Sequence, residues 1–146
     1  MVQENESAVR RFMGELWSEG NLSVADELVA SDHVHLVGDD ELHGPEGIKG
    51  AVTRLRTAFP DLQFVVNDLI SDGDRVVLRW TATGTHEGPL ADLAPTGRRV
   101  TWMGCDWFRL RSGQLIEAFV FTDGEAFYEQ LTATESEAAP DRGMSE

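Results

Sequence analysis

Residues 99–122, RVTWMGCDWFRLRSGQLIEAFVFT, hold two runs rich in β-branched and aromatic residues on either side of Ser112-Gly113. That composition reads as two long strands joined by a tight turn. Upstream, Leu62 to Ile70 and Arg75 to Thr85 repeat the arrangement around Asp72-Gly73, so the second half of the chain is two hairpins. At roughly nine to thirteen residues these strands exceed the usual length, and long twisted strands coil around what they cover.

The first half has a different period. Ala8, Val9, Phe12, Met13, Leu16 and Trp17 recur at three- and four-residue spacing and predict a helix over Glu4 to Trp17, stopped at Gly20-Asn21. A short second helix starts at Ser23. Ser31 to Val37 alternates His33, His35 and Val37 against Val34 and Leu36, as a strand does, and ends in an acidic turn, Gly38 to Glu41. A third helix runs from Gly44-Pro45 to Phe59, where Pro60 stops it. Helix, helix, strand, helix and four strands predict an α+β fold with helices on one face of a mostly antiparallel sheet. A curled sheet closed by helices makes a cone, whose wide end the first helix and the loop Glu87 to Arg98 are expected to shut.

With 146 residues the chain is one domain, 1–131, followed by an acidic tail, 132–146, too poor in large apolar residues to order itself. Acidic residues outnumber Lys and Arg by 26 to 12, and the resulting charge of −14 repels phosphate backbones, so nucleic acid is not an expected partner. A single cysteine, Cys105, and the lack of a long apolar run point to a soluble protein of the reducing cytoplasm, with no membrane partner. His33, His35, His43 and His86 fit no zinc spacing, and no phosphate loop, dinucleotide fingerprint or nucleophile elbow occurs.

On the last strand Leu115, Glu117, Phe119, Phe121 and Asp123 share one face, and Ile116, Ala118, Val120 and Thr122 the other. Asp123 in an aromatic surround would have a raised pKa suited to proton transfer. The same residue also suits the cap of a helix over Gly124 to Leu131. Arg79, mid-strand among apolar neighbours, either orients a substrate oxygen or lays its stem on the sheet with its head in water. Trp102 and Trp107 have opposite parity; a regular Ser112-Gly113 turn sets Trp102 opposite Asp123, whereas a bulge brings Trp107 to that face. His35 and Trp17 are further pocket candidates. The apolar face carrying Ile116, Ala118 and Val120 is expected to be covered by a helix or a second subunit, which predicts a homodimer.

Phe59-Pro60-Asp61, Gly73-Asp74, Arg79, Gly84-Thr85-His86-Glu87-Gly88, Pro95-Thr96-Gly97-Arg98 and Gly113-Gln114-Leu115-Ile116-Glu117, followed by Asp123 and Gln130-Leu131, form a pattern in order and spacing. It resembles the SnoaL-like polyketide cyclases, within the nuclear-transport-factor-2-like superfamily of cone-shaped α+β barrels. The resemblance spans the chain from Trp17 to Leu131. It implies a biosynthetic enzyme that closes a ring of an aromatic polyketide by intramolecular aldol condensation, with no metal or organic cofactor. It also implies an acid–base aspartate at the end of the last strand, six residues after a glutamate, the spacing of Glu117 and Asp123. The implied partner is a hydrophobic, aromatic small molecule, held by Trp17, His35, Arg79, Trp102 or Trp107, Phe119 and Phe121. Phe119 stands where the family often has tryptophan, and Ala91-Asp92 where it usually has a glycine before Pro95. The superfamily also holds isomerases, dehydratases, epoxide hydrolases, hydroxylase components and non-catalytic binders, so the fold alone does not select the reaction.

Overall fold

The computed structural model describes residues 2–133. The predicted tail, apart from Thr132 and Ala133, lies outside the described residues.

The predicted hairpins form β3 (Gln63–Asp72), β4 (Arg75–Thr85), β5 (Arg99–Arg111) and β6 (Gln114–Thr122). Ser112 and Gly113 both have positive φ, 54° and 78°, the geometry of a two-residue turn whose twist matches that of its strands. β1 (Val29–Val37) pairs parallel to β6, and β2 (Asp40–His43) pairs antiparallel to β1. The sheet order is β2-β1-β6-β5-β4-β3, curved but not closed. β2 occupies the expected acidic turn. Its short, charged, mostly exposed sequence shows no alternation, and those same features blunt the sheet edge it forms.

Bulges bend the sheet. Register with β4 shifts at Asn67 of β3, and register with β5 shifts at Ile116 of β6, each strand carrying one unpaired residue. Ile116 has a second effect, because an extra residue inverts the facing of everything after it. Leu115 points into the core before the bulge and Ala118 after it. Val120 and Thr122 therefore line the concave side, and Phe119, Phe121 and Asp123 the convex side.

The helices are α1 (Val2–Arg11), α2 (Ser23–Leu28), α3 (Gly44–Ala58) and α4 (Gly124–Thr132). α1 continues through Phe12–Ser18 in the wider π winding, with Glu19 N–H donating to Gly14 O at 3.0 Å. Its end is held by Arg56 of α3. The Arg56 guanidinium donates to the carbonyls of Trp17, Ser18, Leu62 and Pro60 at 2.6 to 3.3 Å, supplying partners that a helix end lacks. Phe12, Leu16, Phe59 and Phe108 are fully buried where this helical layer meets the concave sheet.

Candidate active site

Between the π-helical segment, α3 and the concave face lies a cavity of about 130 Å³. Phe12, Met13 and Trp17 close it from above, and Phe64, Trp80 and Trp102 form its sheet wall. Phe12, Met13 and Trp17 all belong to the π-helical segment, and such turns are common at functional sites. Residues at the end of the first helix thus cover the cavity, whereas no residue of the loop Glu87 to Arg98, expected to help close it, lines it.

The polar groups on the lining are His35, Asp106 and Thr122. Asp106 is 4% exposed, and its Oδ1 accepts a hydrogen bond from Trp80 Nε1 at 2.9 Å. Burial pushes its carboxyl up to about 7, and the Trp80 hydrogen bond offsets part of that rise. Gly104 permits this pairing. A Cβ there would collide with the Trp80 ring and the Phe121 carbonyl, so the bare glycine lets the indole cross β5 toward Asp106.

His35 faces the cavity from β1, with its ring nitrogen Nδ1 3.2 Å from Nε2 of His33. Burial lowers the His35 pKa to about 3, with His33 adding to the effect, and burial lowers that of His33 to about 4. Both rings are neutral near pH 7.

Of the residues chosen from sequence, the structure brings Trp17, His35 and Trp102 to the cavity. Asp123 is exposed on the other side of the sheet and caps α4, its Oδ1 accepting from Ala126 N–H at 3.1 Å. Its capping role is the one the geometry supports. Phe119 and Trp107 meet on the convex side with ring centroids 5.3 Å apart, and Phe121 is 65% exposed there. Arg79 is exposed on that same side, alternating with buried Leu78 and Trp80. For Phe119, Phe121 and Asp123 the physical reason is the extra residue at Ile116, which reverses the expected faces of β6. The bulge sets Trp107 on the Asp123 face, and that face is the convex one.

Asp106 is the residue that sequence reading passed over. Its signal was present: a lone carboxylate mid-strand, in parity with Trp102, Phe108 and Leu110, where an acid is expensive unless it is used or paired. Among the described residues no cluster of His, Cys, Asp and Glu could hold a metal ion, and no helix is long and apolar enough to cross a membrane.

The fold is that of the nuclear-transport-factor-2-like cone. A protein from Jannaschia sp. CCS1 assigned as a SnoaL-like polyketide cyclase superposes with a TM-score of 0.84 at 28% identity, covering 91% of this chain and 94% of its own. One from Acidithiobacillus ferrooxidans assigned as a polyketide cyclase gives 0.78 at 31% identity, over 88% and 94% of the two chains. AclR of Streptomyces galilaeus, assigned as a hydroxylase, gives 0.79 at 27% identity, over 90% and 97%. None of the curated proteins matches significantly. The family model for the SnoaL-like polyketide cyclases matches residues 7–131, which cover the cone and every residue of its cavity, and the chain belongs to that family.

Proposed function

We propose that the protein is a cofactor-independent cyclase that forms a carbon–carbon bond by intramolecular aldol condensation, with Asp106 as acid and base. The observation that carries this reading is a carboxyl group enclosed by aromatic walls and poised near pH 7, where both of its protonation states are populated. The Asp106 carboxylate takes a proton from a carbon beside a carbonyl, and the electron pair moves onto that carbonyl oxygen. The enolate carbon then bonds to a second carbonyl carbon of the same molecule. The oxygen of that second carbonyl receives the proton back from Asp106, so the product is an isomer and no oxidant is consumed. Folding the substrate so that both carbons meet supplies much of the rate.

The cavity resembles in size the ~150 Å³ apolar void that takes up benzene. It therefore suits one aromatic ring of a substrate whose remainder extends through the mouth. The convex face, with Phe121 65% and Met103 54% exposed beside Trp107 and Phe119, is the surface through which we read the chain as a homodimer. A second reading, hydroxylation, is favoured by the likeness to AclR and differs in requiring oxygen.

Proton abstraction can be tested without the natural substrate. Phenylacetone carries one ring and an acidic carbon beside a carbonyl, and its deuterium uptake in D2O is visible by proton NMR. The protein is expected to accelerate that exchange, Asp106→Asn to reduce the acceleration at least ~100-fold, and Asp123→Asn to leave it within about twofold. Undiminished exchange by Asp106→Asn would overturn the assignment. An oxygen requirement for turnover of a polyketide substrate would select hydroxylation instead.

A further inference from the structure

An aspartate side chain has two equivalent oxygens and a terminal torsion that is broad and two-fold, so only its surroundings can tell one oxygen from the other. At Asp106 they do. Oδ1 accepts from Trp80 Nε1 at 2.9 Å, and among the described residues that indole is the one hydrogen-bond partner of the carboxyl group. Oδ2 makes no hydrogen bond, yet it is not sealed off from open space, and Asp106 lines the cavity. The indole itself has little freedom. Its ring meets Phe64 edge to face with centroids 4.9 Å apart, and it lies against Gly104, its partner across the β4–β5 pairing, where any Cβ would collide with it. An indole N–H donates and never accepts, and a carbonyl oxygen is a better acceptor than a hydroxyl oxygen. The proton of the neutral acid therefore belongs on Oδ2.

We propose that Trp80 is a positioning residue that ties down Oδ1 of Asp106 and leaves Oδ2 as the atom that exchanges a proton with a ligand in the cavity. The indole bond serves both protonation states, so it neither breaks nor turns as Oδ2 takes a proton from carbon and gives one to oxygen, and the carboxyl stays aimed throughout. Trp80 also supports the charged form against burial, which places the titration of Asp106 at about 7 rather than higher. The π segment, α3, β3, β4 and β6 bring no titratable side chain to the cavity. His35 of β1 does, and burial holds it neutral, with a pKa of about 3. The proton exchange with a ligand rests on the acid–base reading of Asp106; the hold of Trp80 on the carboxyl does not.

Replacing Trp80 in the full chain by benzothienylalanine keeps the shape of the indole and exchanges its N–H for sulfur. Two measurements are made on this protein and the wild type across the titration of Asp106: deuterium uptake by phenylacetone, and carbon-13 NMR of the Asp106 carboxyl. Loss of the N–H should raise the midpoint of both by about one pH unit, the size expected of one hydrogen bond to a charged acceptor. The exchange rate on the high-pH plateau should fall at least ~10-fold, since Oδ2 is no longer held in place. A midpoint that does not move, or a plateau within about twofold of wild type, would overturn the proposal. Should that protein not fold, Trp80→Phe is read in the same way. Should neither fold, the wild type decides: its Trp80 indole N–H resonance is expected to follow the Asp106 carboxyl through one common midpoint, and an indole signal blind to that titration would overturn the proposal. Unimpaired exchange by Asp106→Asn together with a raised carboxyl midpoint would sink the reaction and leave the hold of Trp80 on the carboxyl standing.

Discussion

Asp106 and the histidine pair act on stability in opposite directions as pH changes. The Asp106 pKa is raised in the folded state from 3.8 to about 7, so its favourable contribution is complete below about pH 4 and is lost as pH rises toward 7. His33 and His35 have folded-state values lowered from 6.5 to about 4 and about 3, so their contribution is present above about pH 6.5 and is lost as pH falls through those values. Asp106→Asn keeps an oxygen that accepts from Trp80 Nε1 but cannot ionise. Urea unfolding should therefore find this variant more stable than wild type at pH 8 by on the order of 3 kcal/mol, with the difference vanishing near pH 4. An equal difference at both pH values would show that Asp106 is not held protonated by burial. The position of this carboxylate was legible in the sequence, but its burial was not. That burial comes from Trp80 two strand positions away and from the π-helical segment laid over the sheet, neither adjacent to it in sequence.

At the level of elements, strand and helix identity follow from local patterning, and the four long strands lie where their composition predicts. The interruptions do not. Ile116 is an ordinary strand residue by composition, and nothing local marks it as the unpaired one. The π winding at Phe12–Ser18 is likewise invisible to a three-and-four-residue spacing, which an α-helix satisfies equally well. Two contacts hold these irregular pieces. Arg56 gathers the carbonyls at the end of the π segment, and Arg56→Met should cost about 2 kcal/mol in chemical denaturation, since hydrogen bonds from a charged donor are among the stronger ones. Gly104 gives the Trp80 indole its place over β5. Gly104→Ala should cost about 1 to 3 kcal/mol by overpacking and shift the Trp80 indole N–H resonance as its bond to Asp106 is disturbed. An unperturbed indole signal would remove glycine from the account of how Asp106 is held.

For the whole molecule, the formal charge of −14 sets two copies against each other even though the convex face offers Phe121, Met103, Trp107 and Phe119. A dimer formed through that face should tighten as salt screens the repulsion, whereas contacts made by ion pairs would loosen. Sedimentation at micromolar concentration is expected to show a dimer at physiological salt, a larger monomer fraction at low salt, and a monomer for Phe121→Glu at either. A wild-type monomer throughout would exclude the convex face as an interface. The sequence by itself determined the fold class, the family and the order of the elements apart from β2, because helix and strand periods and turn residues are properties of neighbouring positions. Only the tertiary structure decided that the carboxylate in the cavity is Asp106 and that Asp123 is a helix cap. One unpaired residue reverses the faces of β6, and burial depends on which distant side chains pack across it.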